Sequence, residues 1–496
     1  MADLRIGAFL LIGWVVAATS LAAEPRDFAA TYRMKATVEG LSDALAPRQQ
    51  AARIAADLGL PPVRHDLPAP APIPDFAAKP GAVVELVDLR LILTQIAVQT
   101  GARDHQTLIR AQGERDHKII LLRGGFTTLP QFVALSRGTP AAEYVTETDD
   151  GVVLTRPLAI WSDAGLQLGA TELLVMDRPA GSFLTNFGWL DLQGGRVSGT
   201  EPANGAAPEF RPFILTAGVG RLTLREATLQ HLGFGDTAVF GGLSVVNSGL
   251  KLPLFPSRIS GSTLIDVGTL SLLGTEGPVV ADNHLSHSQG TAILVSRSRK
   301  AVIARNTLVD PRGAQAIRIT SESQDVAIVE NYVSEGASTG VLIDQDSTDI
   351  LVGQNILLGQ TSTGVSVSDA FCVHLRANLI AKNGGAGVSI RGSDAVTLSE
   401  NAILFNKGAG VLIRDQAAQA VARLSGNVLL GNREGLRGAT PGLLALDGND
   451  LQGQLPRIFA GDLAPLTVDW LRNGQTDMPL PRPLPSPAPC ANRVQG

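Results

Sequence analysis

Asparagine recurs on a narrow beat through the C-terminal half of the chain, at Asn283, Asn306, Asn331, Asn355, Asn378, Asn401, Asn427 and Asn449, with intervals of 22 to 26 residues. The intervals are filled by short β-branched runs, not by helical patterns. A period of this length carried by strands is what a coil of stacked parallel strands leaves in a sequence. The chain is therefore expected to be all-β, a parallel solenoid with a long groove.

The register follows from the runs themselves. In Gly340-Val341-Leu342-Ile343-Asp344, Gly364-Val365-Ser366-Val367-Ser368, Gly387-Val388-Ser389-Ile390-Arg391 and Gly410-Val411-Leu412-Ile413-Arg414, the residues one and three past each glycine are Val or Ile. A strand alternates its faces, so those side chains point inward and the residues two and four past the glycine face solvent. A second strand precedes each asparagine, as in Val302-Ile303-Ala304 and Val396-Thr397-Leu398. Each asparagine then falls at a turn, where it bonds backbone and its counterparts one rung above and below. At about 4.8 Å per rung, the seven intervals span roughly 34 Å.

Composition agrees. The chain has 496 residues, 44% hydrophobic and 18% charged, enough to bury a large core. Only 4% are aromatic while 53 are glycine, as expected where thin aliphatics fill a coil. A net charge of −5 gives no footprint for nucleic acid. The two cysteines do not form a disulfide framework. Cys372, in Phe371-Cys372-Val373, is expected as a small buried thiol inside the coil. Cys490 lies in the tail, and pairing the two would require the tail to fold back.

Five segments are expected. Residues 1–23 read as an export signal: Arg5 precedes the apolar stretch Ile6 to Val16, and Ser20-Leu21-Ala22-Ala23 supplies a cleavage site before Glu24. No other stretch is apolar and long enough to span a membrane after signal cleavage. Residues 24–80 read as a helical segment followed by a Pro-rich linker. Residues 81–157 form a mixed α/β N-terminal cap, with a strand over Lys118 to Leu122 and a short helix from Thr128 to Leu135 that has Thr128 as N-cap. The solenoid is assigned to 158–470, and a disordered Pro-rich tail to 471–496.

The outward column is expected to run Ile293 and Val295, Arg318 and Thr320, Leu342 and Asp344, Ser366 and Ser368, Ser389 and Arg391, Leu412 and Arg414. Arginines spaced along a groove suit the regularly repeated carboxylates of an acidic polysaccharide. Outward Arg, Ser and Asp also simply solvate an exposed sheet. The cluster Asp344, Asp346 and Asp349 carries oxygen ligands but matches no complete Ca²⁺ loop, so no metal and no cofactor is expected. Arg103-Asp104-His105 and Arg115-Asp116-His117 read as surface charge. His231, His284, His287 and His374 have no carboxylate partner in sequence.

Particular segments carry a resemblance. Phe210-Arg211-Pro212-Phe213-Ile214-Leu215, His231-Leu232-Gly233-Phe234 and Gly241-Gly242-Leu243-Ser244, together with Leu122-Arg123-Gly124-Gly125 upstream and the Asn-bounded rungs, resemble the periplasmic mannuronan C5-epimerases of bacterial alginate biosynthesis, over residues 110 to 450. The resemblance implies a right-handed parallel β-helix, export, and a role in maturation or periplasmic passage of a polymannuronate-like polysaccharide, alongside other exopolysaccharide secretion proteins. The family places an Asp-Pro-His-Asp motif on one rung and an arginine on the next. By the register above the motif falls on Ile293, Leu294, Val295 and Ser296, with the base position at Val295, and the arginine falls on Ser321. Slipping one rung gives Arg318-Ile319-Thr320-Ser321 and two rungs Leu342-Ile343-Asp344-Gln345; neither restores the histidine.

Three functions stay open: a divergent epimerase or lyase, a non-catalytic polysaccharide-binding or secretion-scaffold protein, and a rod that docks secretion components. For an enzyme, Asp344 is the candidate base, and Arg318, Arg391, Arg414, Ser366 and Ser368 are the candidate substrate-binding residues.

Overall fold

The computed structural model describes residues 81–472 apart from Asp104, Glu114, Arg115, 201–209, Asp236, 248–252, Gln452 and Leu455, together with Ala36, Ala56, 59–63, 66–69 and Cys490. Two units divide the chain, Met1–Asp43 and Ala44–Gly496; only Ala36 is described in the first, and the architecture is that of the second. The expected export signal, most of the helical segment and linker, and nearly all of the tail lie outside the described residues.

Three parallel sheets of 15, 13 and 13 strands, termed A, B and C, run along a right-handed parallel β-helix. The chain visits them in turn, so each strand pairs with the strand one turn later: Val341 with Val365 in sheet A, Val302 with Ala327 in sheet B, Leu308 with Val333 in sheet C. Val341, Ile343, Val365, Val367, Val388, Ile390, Val411 and Ile413 are fully buried, as the register required. Aliphatic columns of this kind are what hold the rungs together, since a single rung has no other place to hide its apolar face.

The asparagine beat marks the turn from sheet B to sheet C. Just before each ladder asparagine stands one left-handed residue: Asp282, Arg305, Glu330, Gln354, Ala377 and Glu400 have φ between 52° and 60°. A non-glycine residue there costs about 1–2 kcal/mol. The ladder offsets it. Asn306 Oδ1 accepts from the backbone N (3.0 Å) and Nδ2 (2.9 Å) of Asn283, and Asn306 Nδ2 donates to Val280 O at 2.9 Å. The pattern repeats to Asn427, whose backbone N and Nδ2 donate to Asn449 Oδ1. At Gly426 and Gly448 the same conformation is met without steric cost.

A second ladder, not read from the sequence, lines the turn from sheet C to sheet A. Gln360, Asn383, Asn406 and Asn432 hand hydrogen bonds along in the same way, with backbone N to side-chain oxygen distances of 2.9 to 3.0 Å. Its left-handed residues are Gly359, Lys382, Phe405 and Gly431.

The coil begins earlier than residue 158. Strand Lys118–Arg123 pairs antiparallel with Val83–Asp88 on one side but parallel with Leu158–Ile160 on the other, so the first turn lies within the segment assigned to the cap. Helix Leu129–Ser136 follows Thr128, whose backbone N donates to Gln131 Oε1 at 3.1 Å, the reciprocal half of a capping box. Helix Leu89–Thr100 starts where Asp88 Oδ1 accepts from the Arg90 N at 2.9 Å and ends on left-handed Gly101. Its Leu89, Ile92, Leu93 and Ile96 pack on Phe213, Leu215, Ala217 and Phe240, over the outer face of the first strands of sheet A. At the far end, Trp470 of helix Leu466–Arg472 is buried against Phe459, ring centroids 5.8 Å apart, and closes the coil.

Part of the outer face of sheet B is also covered. Val63 N donates to Gln354 Oε1 at 3.1 Å, Leu67 packs on an apolar strip formed by Val279, Ala281, Val302, Ala304, Ala327 and Val329, and Arg258 Nη1 donates to Pro68 O at 2.9 Å. The tail returns to the same sheet. Cys372 is buried as expected but is not a thiol: it is disulfide-bonded to Cys490, 118 residues on, with Cα atoms 5.6 Å apart. The fold-back that the sequence left as a condition is met.

Candidate functional site

Sheet A has a partly exposed outer face from Leu294 onward. Its pairing lines up Leu294, Arg318, Leu342, Ser366, Ser389, Leu412 and Arg437 in one outward column. Beside it run Ser296, Thr320, Asp344, Ser368, Arg391 and Arg414. For five of six rungs this is the expected column. At the first rung it is not. Ile293 and Val295 are fully buried inside the coil, and Leu294 and Ser296 lie on the outer side of the strand, Leu294 partly exposed and Ser296 buried. A one-residue slip exchanges every side chain between core and surface: Ala292 holds the place before the first inward residue, as Ala316 does one rung later, and counting from it puts Ile293 and Val295 inside. The expected base position, Val295, is therefore a core position.

The candidate residues of this face are largely engaged with one another. Arg318 Nη2 donates to Asp344 Oδ2 at 2.8 Å, and both side chains are half-buried or more. Arg391 donates to Ser368 Oγ at 2.7 Å and to Asp369 Oδ2 at 2.9 Å. Arg414 lies 3.9 Å from Asp415, and Ser366 pairs in register with Ser389 without a charged neighbour in that register. Asp344, the candidate base, is thus the partner of a guanidinium. Asp346 and Asp349 do not join it; among the described residues no group of three His, Cys, Asp or Glu is placed to hold a metal ion.

A second constellation lies at the edge between sheets C and A. The left-handed turn slots occupied downstream by Lys382 and Phe405 are occupied upstream by His231, Asp266, His287, Asp310 and Glu335, with φ from 50° to 58°. Stacked rungs bring these slots about 4.8 Å apart. His231 Nδ1 lies 3.1 Å from Asp266 Oδ2. Arg211 Nη2 donates to both the backbone oxygen and Oδ2 of Asp266 at 2.7 Å, and Gln289 Nε2 donates to Asp266 Oδ1 at 3.0 Å. One rung on, His287 Nε2 is 3.8 Å from Asp310, which accepts from Arg312 Nε at 3.0 Å.

Burial alone would raise the Asp266 carboxyl, but the His231 bond, the Arg211 charge and the Gln289 bond outweigh it and hold the group below its usual value. Neighbouring Arg178, whose Nε donates to Phe210 O at 2.7 Å, is pushed down by burial and by the charge of Arg211. Two arginines thus share one nearby aspartate. Such a site is suited to ordering an anion and to fixing the orientation of an imidazole.

Sequence reading named Arg211 and His231 only as parts of separate segments. Asp266 joins them from 55 and 35 residues away. The turns between Leu232 and Thr263 carry inserted loops, so the 22-to-26 beat does not reach this rung. The available signal was the slot itself, once its position before each turn is known. His374, in sheet B, is pushed below the usual histidine value by burial, with Asp349 opposing. Arg103-Asp104-His105 and Arg115-Asp116-His117 flank helix His105–Ala111, with Asp104 and Arg115 outside the described residues.

A family model described as a right-handed beta helix region matches residues 268–435. A protein of Pseudomonas aeruginosa named mannuronan C5-epimerase is 25% identical over 227 residues, 43% of this chain and 41% of that protein. Its Pseudomonas putida namesake is 26% identical over 231 residues, 43% of this chain and 44% of the relative. The chain therefore spans about two fifths of the length of the curated relatives it matches. Among solved structures, a mutant of the periplasmic alginate epimerase AlgG has a TM-score of 0.63 at 19% identity, covering 79% of this chain and 98% of that one. AlgG itself gives 0.56 at 17% identity over the same shares. At these identities the structural likeness is one of fold. The chain is a right-handed parallel β-helix protein, similar over about two fifths of its length to proteins named mannuronan C5-epimerase.

Proposed function

We propose that this protein binds an alginate-like polyuronate along the open face of sheet A and acts in its maturation or passage through the periplasm, without abstracting the C5 proton at the rung where the family carries its base. The observation that carries the reading is that this rung presents Leu294 and Ser296 outward and Val295 inward. Inverting C5 requires a base, a group that neutralises the developing charge on the carboxylate, and an acid on the opposite face. Leu294 offers none of these, and a serine hydroxyl is no base at neutral pH without a partner to activate it. Asp344 is held by Arg318 and serves as that arginine's counter-charge.

The substrate class is supported by the relatives' name together with the repeated column of Arg318, Ser366, Ser368, Arg391 and Arg414. Export is supported by the disulfide Cys372–Cys490, which persists in oxidising compartments. Among the described residues no helix is long and apolar enough to cross a membrane.

The test is proton NMR of polymannuronate incubated with the purified protein in deuterated water. Saturable binding with an unchanged polymer spectrum is expected. Exchange at C5 with new guluronate signals would establish an epimerase in its place, and unsaturated chain ends a lyase. Absence of both binding and turnover would reject a polyuronate role.

A further inference from the structure

We infer that the groove of sheet A is closed at one end and receives the terminus of a polyuronate chain, not an internal stretch; this rests on the polyuronate reading above. The outward positions of sheet A change character at one step. Leu215, Ala217, Ser244, Val246, Ser271 and Leu273 are all buried; from the next rung on, Leu294, Arg318, Leu342, Ser366 and Leu412 are partly exposed, while Ser296, Thr320, Ser368 and Ser389 between them stay buried. What covers the earlier rungs is a packed apolar layer: helix Leu89–Thr100 with Phe213 and Phe240 (ring centroids 4.9 Å apart) and Phe210 and Phe234 (4.9 Å). From Leu294 the face is open through six further rungs to Arg437, about 29 Å at the usual strand spacing. A stiff polymer lying along this face meets the packed layer and stops.

Charge is arranged in accord with a terminus at the stop. Along the open face the arginines carry their own counter-charges, Arg318 with Asp344, Arg391 with Asp369 and Arg437 with Glu434. At the closed end Arg297 differs. Arg297, exposed at the turn directly after Ser296, forms no ion pair among the described residues. Across the strand, Arg211 and Arg178 share Asp266, and Gln289 ties that aspartate to the same rung. Ser271 Oγ, directly before the step, is buried without a partner among the described residues. Arg297 is thus the cation placed at the step to receive the last uronate carboxylate of an inserted chain.

The experiment uses the full-length protein and polymannuronates of narrow length distribution. Sedimentation with long chains is expected to saturate at one protein per chain, because only ends enter. Several proteins bound along each chain would overturn the inference while leaving the polyuronate reading intact. Short oligomannuronates carrying a bulky aromatic amine on the reducing end, or an unsaturated residue at the other end, supply the second measurement. One modification should weaken binding about tenfold and the other should be tolerated, which also identifies the inserted end. Tolerance of both would again overturn it. Arg297→Ala should weaken short oligomers about tenfold, and equal affinity would remove the charge argument. Failure of every polyuronate to bind would instead reject the substrate class.

Discussion

His231 and Asp266 meet at 3.1 Å across 35 residues of chain, and the same carboxylate receives Arg211 at 2.7 Å. Both the histidine and the aspartate occupy left-handed turn slots, so the contact is a product of stacking and not of local sequence. Because the Asp266 carboxyl lies below its ordinary value of 3.8, its stabilising contribution is present above that pH and is lost as the pH falls through the lower folded value. Asp266→Asn should destabilise the protein by about 1–2 kcal/mol near neutral pH and should lack this acid-range loss. Urea unfolding of both proteins at several pH values measures it, and coincident curves throughout would show that the network contributes nothing.

Asn331→Ala removes the acceptor of Asn306 N and Nδ2 and the donor to Ile303 O in a fully buried row. Unsatisfied buried groups of this kind cost roughly 3 kcal/mol together. Thermal unfolding should show a clearly lower midpoint; a loss no larger than that of a surface substitution would mean that water replaces the ladder bonds.

His374 is held below the usual histidine value of 6.5 by burial, with Asp349 opposing. The unfolded chain therefore takes up a proton that the folded chain refuses, and stability falls as the pH drops below that value. His374→Gln should flatten this part of the stability profile. An unchanged slope between neutral and mildly acidic pH would assign it to other groups.

Arg391→Ala combined with Arg414→Ala should weaken binding of polymannuronate and reduce its dependence on salt, since two cations leave the open face. Titrations at two ionic strengths read both effects. Affinity equal to that of the parent protein would place the binding face away from sheet A.

Cys490→Ser frees a tail fastened to the coil through a 118-residue separation. Loop-closure entropy sets an upper bound of about 5 kcal/mol on the loss. Non-reducing peptide mapping should recover the Cys372–Cys490 pair in the parent protein, and the variant should melt lower; two free thiols in protein isolated from an oxidising compartment would contradict the connectivity.

The asparagine beat and the Val and Ile positions after Gly340, Gly364, Gly387 and Gly410 were enough to place core and surface across most of sheet A. Ile293 and Val295 are the exception, because one residue of slip inverts a strand and Ala292 is the position from which the inward pair counts. It also passed over the second ladder, because Asn383, Asn406 and Asn432 make only three members and Gln360 and Gln454 extend it with a different residue. Cys372 and Cys490 both stand in plain view in the sequence, but their proximity depends on the path of the tail, which has no periodicity to read.

By itself, then, the sequence determined the coil: a repeat of strands and asparagine turns has one economical solution, stacking, and stacking fixes which side chains face inward. Tertiary structure alone decided what meets across the rungs. Arg211, His231, Asp266 and Gln289 converge because inserted loops are absorbed outside the coil while the strands stay in register, so distance along the chain no longer measures distance in space. The aromatic layer that ends the groove is likewise assembled from helix Leu89–Thr100 and from loops more than a hundred residues later, and only their packing closes the face at Leu294.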